Sequence, residues 1–196
     1  MDMKSYEARV MAVDWDSYSS PKYEYYRPES APKALMLLAQ ADEESYVDLV
    51  GPLFYFKTMD DLKKADFSSM DWIMNATIYH QVTNALGGAR TDTYYPVLEG
   101  MLPFIIEVSL YGNHAVARNV AINVLIIIYY YYGPDGESAG FFDEDLYKSI
   151  KKKIEDAVRE NRDNYKAFFD TDKRNEGLEK NLFWILEEER DDDEGE

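Results

Sequence analysis

The stretch LPFIIEVSLYGNHAVARNVAINVLIIIYY, Leu102 to Tyr130, decides the fold. Between Gly100 and Gly133 the only formal charges are Glu107 and Arg118. The stretch splits in two at Gly112-Asn113, a natural helix stop. Its first half carries Leu102, Ile105, Ile106, Val108 and Leu110 at helical spacing, with Pro103 inside, where a proline bends a helix. Its second half runs from His114 to Tyr132 and is closed by Gly133-Pro134. A helix apolar on nearly all sides is buried on nearly all sides. Val116–Tyr132 is therefore the expected central helix of an all-α domain. The longest apolar run, Val120–Tyr132, is 13 residues and is interrupted by Asn123. That is short of the roughly 20 needed to cross a bilayer.

Working outward, amphipathic segments flank this hairpin on both sides. On the N-terminal side, Thr91 or Asp92 is expected to open the helix that holds Pro96. A helix over Met70–Leu86, with Trp72, Ile73, Ala76, Tyr79 and Val82, ends at Gly87-Gly88. Ser30 before Ala31-Pro32 reads as an N-cap with proline in the first turn, opening a helix to Ala41. Asp42 then caps a second helix reaching Phe54. On the C-terminal side, Asp143 is expected to cap one long helix to Phe169. Lys151/Glu155, Lys152/Asp156 and Arg159/Asp163 stand at i,i+4 on its polar face. A last helix covers Thr171–Glu189. The resulting division is a tyrosine-rich N-terminal arm over residues 1–29 packed on the body, with a short helix over Tyr6–Val13 followed by an irregular stretch, then a helical body over 30–189 and a disordered acidic tail over 190–196.

Composition narrows the function. There is no cysteine, which excludes a disulfide framework and a thiolate zinc site. With no secretion signal in the first ten residues, a soluble cytoplasmic protein is expected. The net charge is −17. The segment Glu187–Glu196 holds eight acids and one arginine, so −7 belongs to it and −10 to the rest. Such a body is repelled by nucleic-acid phosphates and by anionic membranes. It favours a basic protein partner; the plain alternative is that the charge serves solubility. The 17 tyrosines point the same way, since tyrosine brings contact area with little entropy loss. Their plain alternative is packing with the hydroxyls at the rim.

The central segment resembles a HEAT repeat. Pro103 takes the place of that family's bend in the first helix, Gly112-Asn113 the place of its polar turn, and Val116-Ala117-Arg118 the place of its Val-x-Arg opening. The usual turn aspartate is replaced here by Gly112-Asn113. The resemblance implies HEAT/armadillo-like stacked helical hairpins, because a two-helix unit is too small to bury its own face. Ala31–Phe54 and Asp143–Glu189 would be further units, and Arg118 would sit near the turn and tie adjacent repeats. A fainter resemblance rests on Glu29–Leu35 (ESAPKAL) and His80-Gln81 followed by the bent helix. It is similar to small bacterial HEAT-like proteins, including immunity proteins that cover a toxin domain.

Catalytic chemistry has few candidates. No G-x-S-x-G, H-E-x-x-H, P-loop or EF-hand pattern occurs. The two histidines, His80 and His114, read as a core or interface residue and a helix-start residue. Acid pairs at Asp14/Asp16, Asp60/Asp61 and Asp143–Asp145 read as solvated faces or first-turn acids. Two facing carboxylates across a cleft would support a hydrolase, the enzymatic alternative. The expected function is a protein-binding inhibitor of immunity type acting on a basic, nuclease-like toxin domain. A general scaffold or adaptor is the second alternative. The expected contact residues are Asp42, Glu43, Glu44 and Asp48, with Tyr94 and Tyr95. No cofactor and no metal are expected.

Overall fold

The computed structural model describes residues 1–18, 27–42, 77–88, 93–94, 96–130 and 144–193. Its helices are α1 (Met3–Met11), α2 (Ser30–Gln40), α3 (Thr77–Leu86), α4 (Val97–Tyr111), α5 (Ala115–Tyr130), α6 (Glu144–Glu160), α7 (Arg162–Phe169) and α8 (Glu176–Asp193). Two 3-10 turns, Trp15–Tyr18 and Lys173–Asn175, stand between them. Among the described residues the extended backbone amounts to one antiparallel bridge, Gly87 with Tyr94 and Gly88 with Thr93. The protein is all-α.

α5 is the core helix that the charge gap announces. Thirteen of its 16 residues are buried. Helices α2, α3, α4, α6 and α8 all pack on it. α4 returns along it through the short turn at Gly112, where the chain approaches itself closely. A Cβ on Gly112 would stand 2.7 Å from the Val108 carbonyl oxygen and 3.1 Å from Arg118 Cγ. The arrangement of α2 with α3, α4 with α5, and α6–α8 beyond them is compatible with stacked hairpins. Among the described residues α2 finds its helical neighbour in α3. The expected Asp42–Phe54 partner lies outside the described residues after Asp42.

The short helix expected over Tyr6–Val13 forms slightly earlier in the chain, as α1 over Met3–Met11. Asp2 Oδ1 accepts from the Lys4 amide at 3.1 Å and caps α1. Tyr6 and Val10, one turn apart, are buried. Tyr6 meets Phe104 edge-to-face at 5.7 Å, and Arg9 pairs with Glu107 at 2.6 Å. Trp15 is buried and its indole N–H donates to the Val10 carbonyl at 2.9 Å. Aromatic packing, not local period, holds this arm to α4.

Several element boundaries differ from expectation, each for a local reason. Ser30 lies inside α2; its amide already bonds the Arg27 carbonyl at 2.8 Å, so a turn leads into the helix one residue earlier. α4 begins at Val97, with Pro96 at its boundary, because Thr93-Tyr94 pairs as extended chain with Gly87-Gly88. The long Asp143–Phe169 helix is broken at Asn161. There the side-chain amide and the backbone amide both bond the Ala157 carbonyl, at 2.9 and 3.2 Å. Asparagine competes with the helix ladder in this way. The last helix continues to Asp193, into the stretch expected to be tail.

Candidate partner-binding surfaces

Of the expected contact residues, Asp42 and Tyr94 are described, and Asp42 is half-buried. Glu43, Glu44, Asp48 and Tyr95 lie outside the described residues. Tyr94 is half-buried, and its ring stacks on Tyr147 of α6 at 6.5 Å with planes 19° apart. Lys151 sits over this aromatic group, 5.2 Å from the Tyr147 centroid and 4.4 Å from that of Tyr129. The Tyr129 hydroxyl donates to Glu155 Oε1 at 2.7 Å. Tyr129 of α5 and Tyr147 of α6 thus share one lysine, with Tyr94 stacked on Tyr147 beside them, and both Tyr94 and Tyr147 are half-buried.

The other singled-out residues sort simply. His114 is exposed just before α5, and its carbonyl accepts the Arg118 amide at 3.2 Å. The His80 side chain lies outside what is described. Asp14 and Asp16 are exposed beside the first 3-10 turn. Glu144 and Asp145 are exposed in the first turn of α6. Glu144 pairs with Lys148 at 2.7 Å, and that hydrogen bond holds its carboxyl below the usual range. Asp60, Asp61 and Asp143 lie outside the described residues. Among the described residues no three His, Asp or Glu side chains stand together as metal ligands would.

Arg118 is a junction. Its Nε donates to the Ser109 carbonyl at 3.0 Å near the end of α4. Another guanidinium nitrogen donates to Asn164 Oδ1 at 3.2 Å in α7, and the group lies 3.8 Å from the Phe168 centroid. Burial lowers its pKa, and the charge is retained because arginine titrates so high. Tyr165 completes the junction with a 2.7 Å hydrogen bond to Ser109, and burial pushes its phenol up to about 12.

One described cleft is lined mainly by cations, a grouping that the interleaved acids of the sequence hide. A groove of about 820 Å³ opens between α7 and α8. Arg162 and Lys166 reach it from α7, Lys173 and Arg174 from the 3-10 turn, and Lys180 from α8. Glu176, Glu179 and Glu187 stand among these five cations. Arg162 stacks over Phe183 at 5.1 Å, and Arg174 Nε bonds Asp172 Oδ2 at 2.8 Å. Trp184, next in sequence to Phe183, is 52 % exposed. The one early signal was Arg162 and Lys166 at i,i+4 followed by Lys173-Arg174. Interleaved acids made that signal look like an ordinary solvated face.

Comparison of the chain with protein-family models, with curated proteins and with solved structures returns no match. Among the described residues no helix is long and apolar enough to cross a membrane.

Proposed function

We propose that this protein works by binding another protein, covering a basic domain in the manner of an immunity-type inhibitor. The observation that carries the reading is the −10 that remains outside the C-terminal acidic segment. A charge of that size accelerates encounter with a basic surface and rejects acidic competitors. The Tyr94–Tyr147 stack supports the same reading, because partly exposed, rigid aromatics are the usual anchors of a protein interface. The contact face on this reading is the acidic run that starts at Asp42, continues through Glu43, Glu44 and Asp48, and includes Tyr94 and Tyr95. HEAT-like stacking would supply the rigid platform.

The face is tested by reversing its charge. The variant Asp42→Lys/Glu43→Lys/Glu44→Lys is immobilised beside the wild-type chain, and captured proteins are compared quantitatively. The reading expects the variant to lose the basic partner that the wild type retains. Equal capture by both would remove this face from the proposal.

A further inference from the structure

We propose that the groove between α7 and α8 binds a small, multiply charged phosphate anion, of the size of a di- or triphosphate group. The site is separate from the acidic face assigned above and does not depend on it.

The charge of the groove runs against that of the chain. Acids outnumber Lys and Arg by 38 to 21 in the sequence, yet five cations and three carboxylates line this groove. Exposed lysines of α6 find carboxylates in such acid-rich surroundings. Lys148 pairs with Glu144 at 2.7 Å, Lys152 with Asp156 at 3.6 Å and Lys153 with Glu99 at 3.1 Å. Lys166, Lys173 and Lys180 are exposed too, and none of them forms a hydrogen bond or ion pair with another of the described residues. Ammonium groups from α7, the 3-10 turn and α8 thus line one concavity, unpaired with the carboxylates beside them.

Those carboxylates have their own explanation. Glu176 and Glu179 lie in the first turn of α8, where the helix dipole favours acids. Glu187 stands about two turns beyond Glu179. The two guanidinium groups of the groove are already engaged, Arg162 over the Phe183 ring and Arg174 with Asp172. The three lysines are what the groove offers a ligand.

An ammonium is a compact point charge with three donors, which suits phosphate oxygens. The groove volume of about 820 Å³ falls within the roughly 300–1,000 Å³ of small-molecule sites. It is far larger than one orthophosphate fills, so the ligand carries several phosphates to reach lysines on three elements. A long polyanion is disfavoured, because beyond the groove it would run onto a chain of net charge −17. A ligand confined to the groove feels its lining, while exposed charges more than about 8 Å away are largely screened at physiological salt.

Isothermal titration calorimetry of the full chain with inorganic triphosphate, at low salt and without divalent cations, tests this. The expected result is one saturable site that weakens as salt rises. Lys166→Gln/Lys173→Gln/Lys180→Gln weakens it by about tenfold or more, each exposed charge contact being worth up to about fivefold. The control Lys148→Gln/Lys152→Gln/Lys153→Gln removes the same charge from α6 and leaves the affinity within about twofold. All six lysines are exposed, so both variants can fold, which circular dichroism checks. Absence of saturable binding would overturn the proposal. So would equal weakening by the two triple variants, which reports general charge alone. Tighter binding of an oligoglutamate peptide than of triphosphate would overturn it as well, and would give the groove to an acidic protein segment.

Discussion

Asn119 is the residue at which this fold runs against its own core. It lies in α5 at 1 % exposure, and both side-chain amide atoms are buried without a hydrogen-bond partner. A buried polar group left unsatisfied costs about 1–3 kcal/mol. Leucine has nearly the same shape and no such cost. Asn119→Leu is therefore expected to raise stability by about 1–2 kcal/mol, read as a higher melting temperature in thermal unfolding. A lower melting temperature would contradict this reading. Tyr165 gives the second prediction at this scale. Its phenol has a value of 10.0 in an ordinary environment, and burial raises it to about 12. Burial displaces Tyr6 in the same direction. A raised phenol favours the protonated form in the folded state. The associated stability is thus complete below pH 10 and is lost as the pH climbs towards 12. Melting temperatures between pH 9 and 12 should fall, and Tyr165→Phe should flatten part of that fall.

At the scale of elements, Arg118 ties the central hairpin to the helices that follow it. It reaches the end of α4 and α7 from the first turn of α5. Charged hydrogen bonds of this kind contribute about 1.5–3 kcal/mol each. Arg118→Met is expected to cost about 2–3 kcal/mol in urea unfolding. Arg118→Lys should recover only a minor part, because an ammonium cannot fork between two acceptors and stack on Phe168. Full recovery by lysine would show that charge alone matters there. A tying role for Arg118 was expected only from the resemblance of Val116-Ala117-Arg118 after Gly112-Asn113 to a HEAT repeat. The central position of α5 was legible for a stronger reason: a run of apolar residues with no charge leaves a helix no face for water. The break at Asn161 was not, since the periodicity of α6 runs unbroken through it and the side chain that competes is a single amide. The short helix of the N-terminal arm was legible, but its packing partner was not: Tyr6 and Trp15 both meet the ring of Phe104, far along the chain.

At the scale of the whole molecule, one core carries a net charge of −17 that is unevenly placed. Net charge was legible by counting, but its distribution was not. The five cations of the α7–α8 groove are scattered over 19 positions of sequence and become a patch only when those helices pack. Lys151 likewise joins Tyr129 and Tyr147 from two helices, and Tyr94 stacks on Tyr147 from a third element. The central claim is a foreign basic partner for the acidic body, and one measurement addresses it directly. The immobilised chain is exposed to a lysate of its source cells at low and at high salt, and the bound proteins are identified and quantified by mass spectrometry. The account predicts one stoichiometric basic partner at low salt that weakens or disappears at high salt, where exposed charges are screened beyond about 3–10 Å. Capture of no partner at either salt, or of an acidic one that ignores salt, would contradict it.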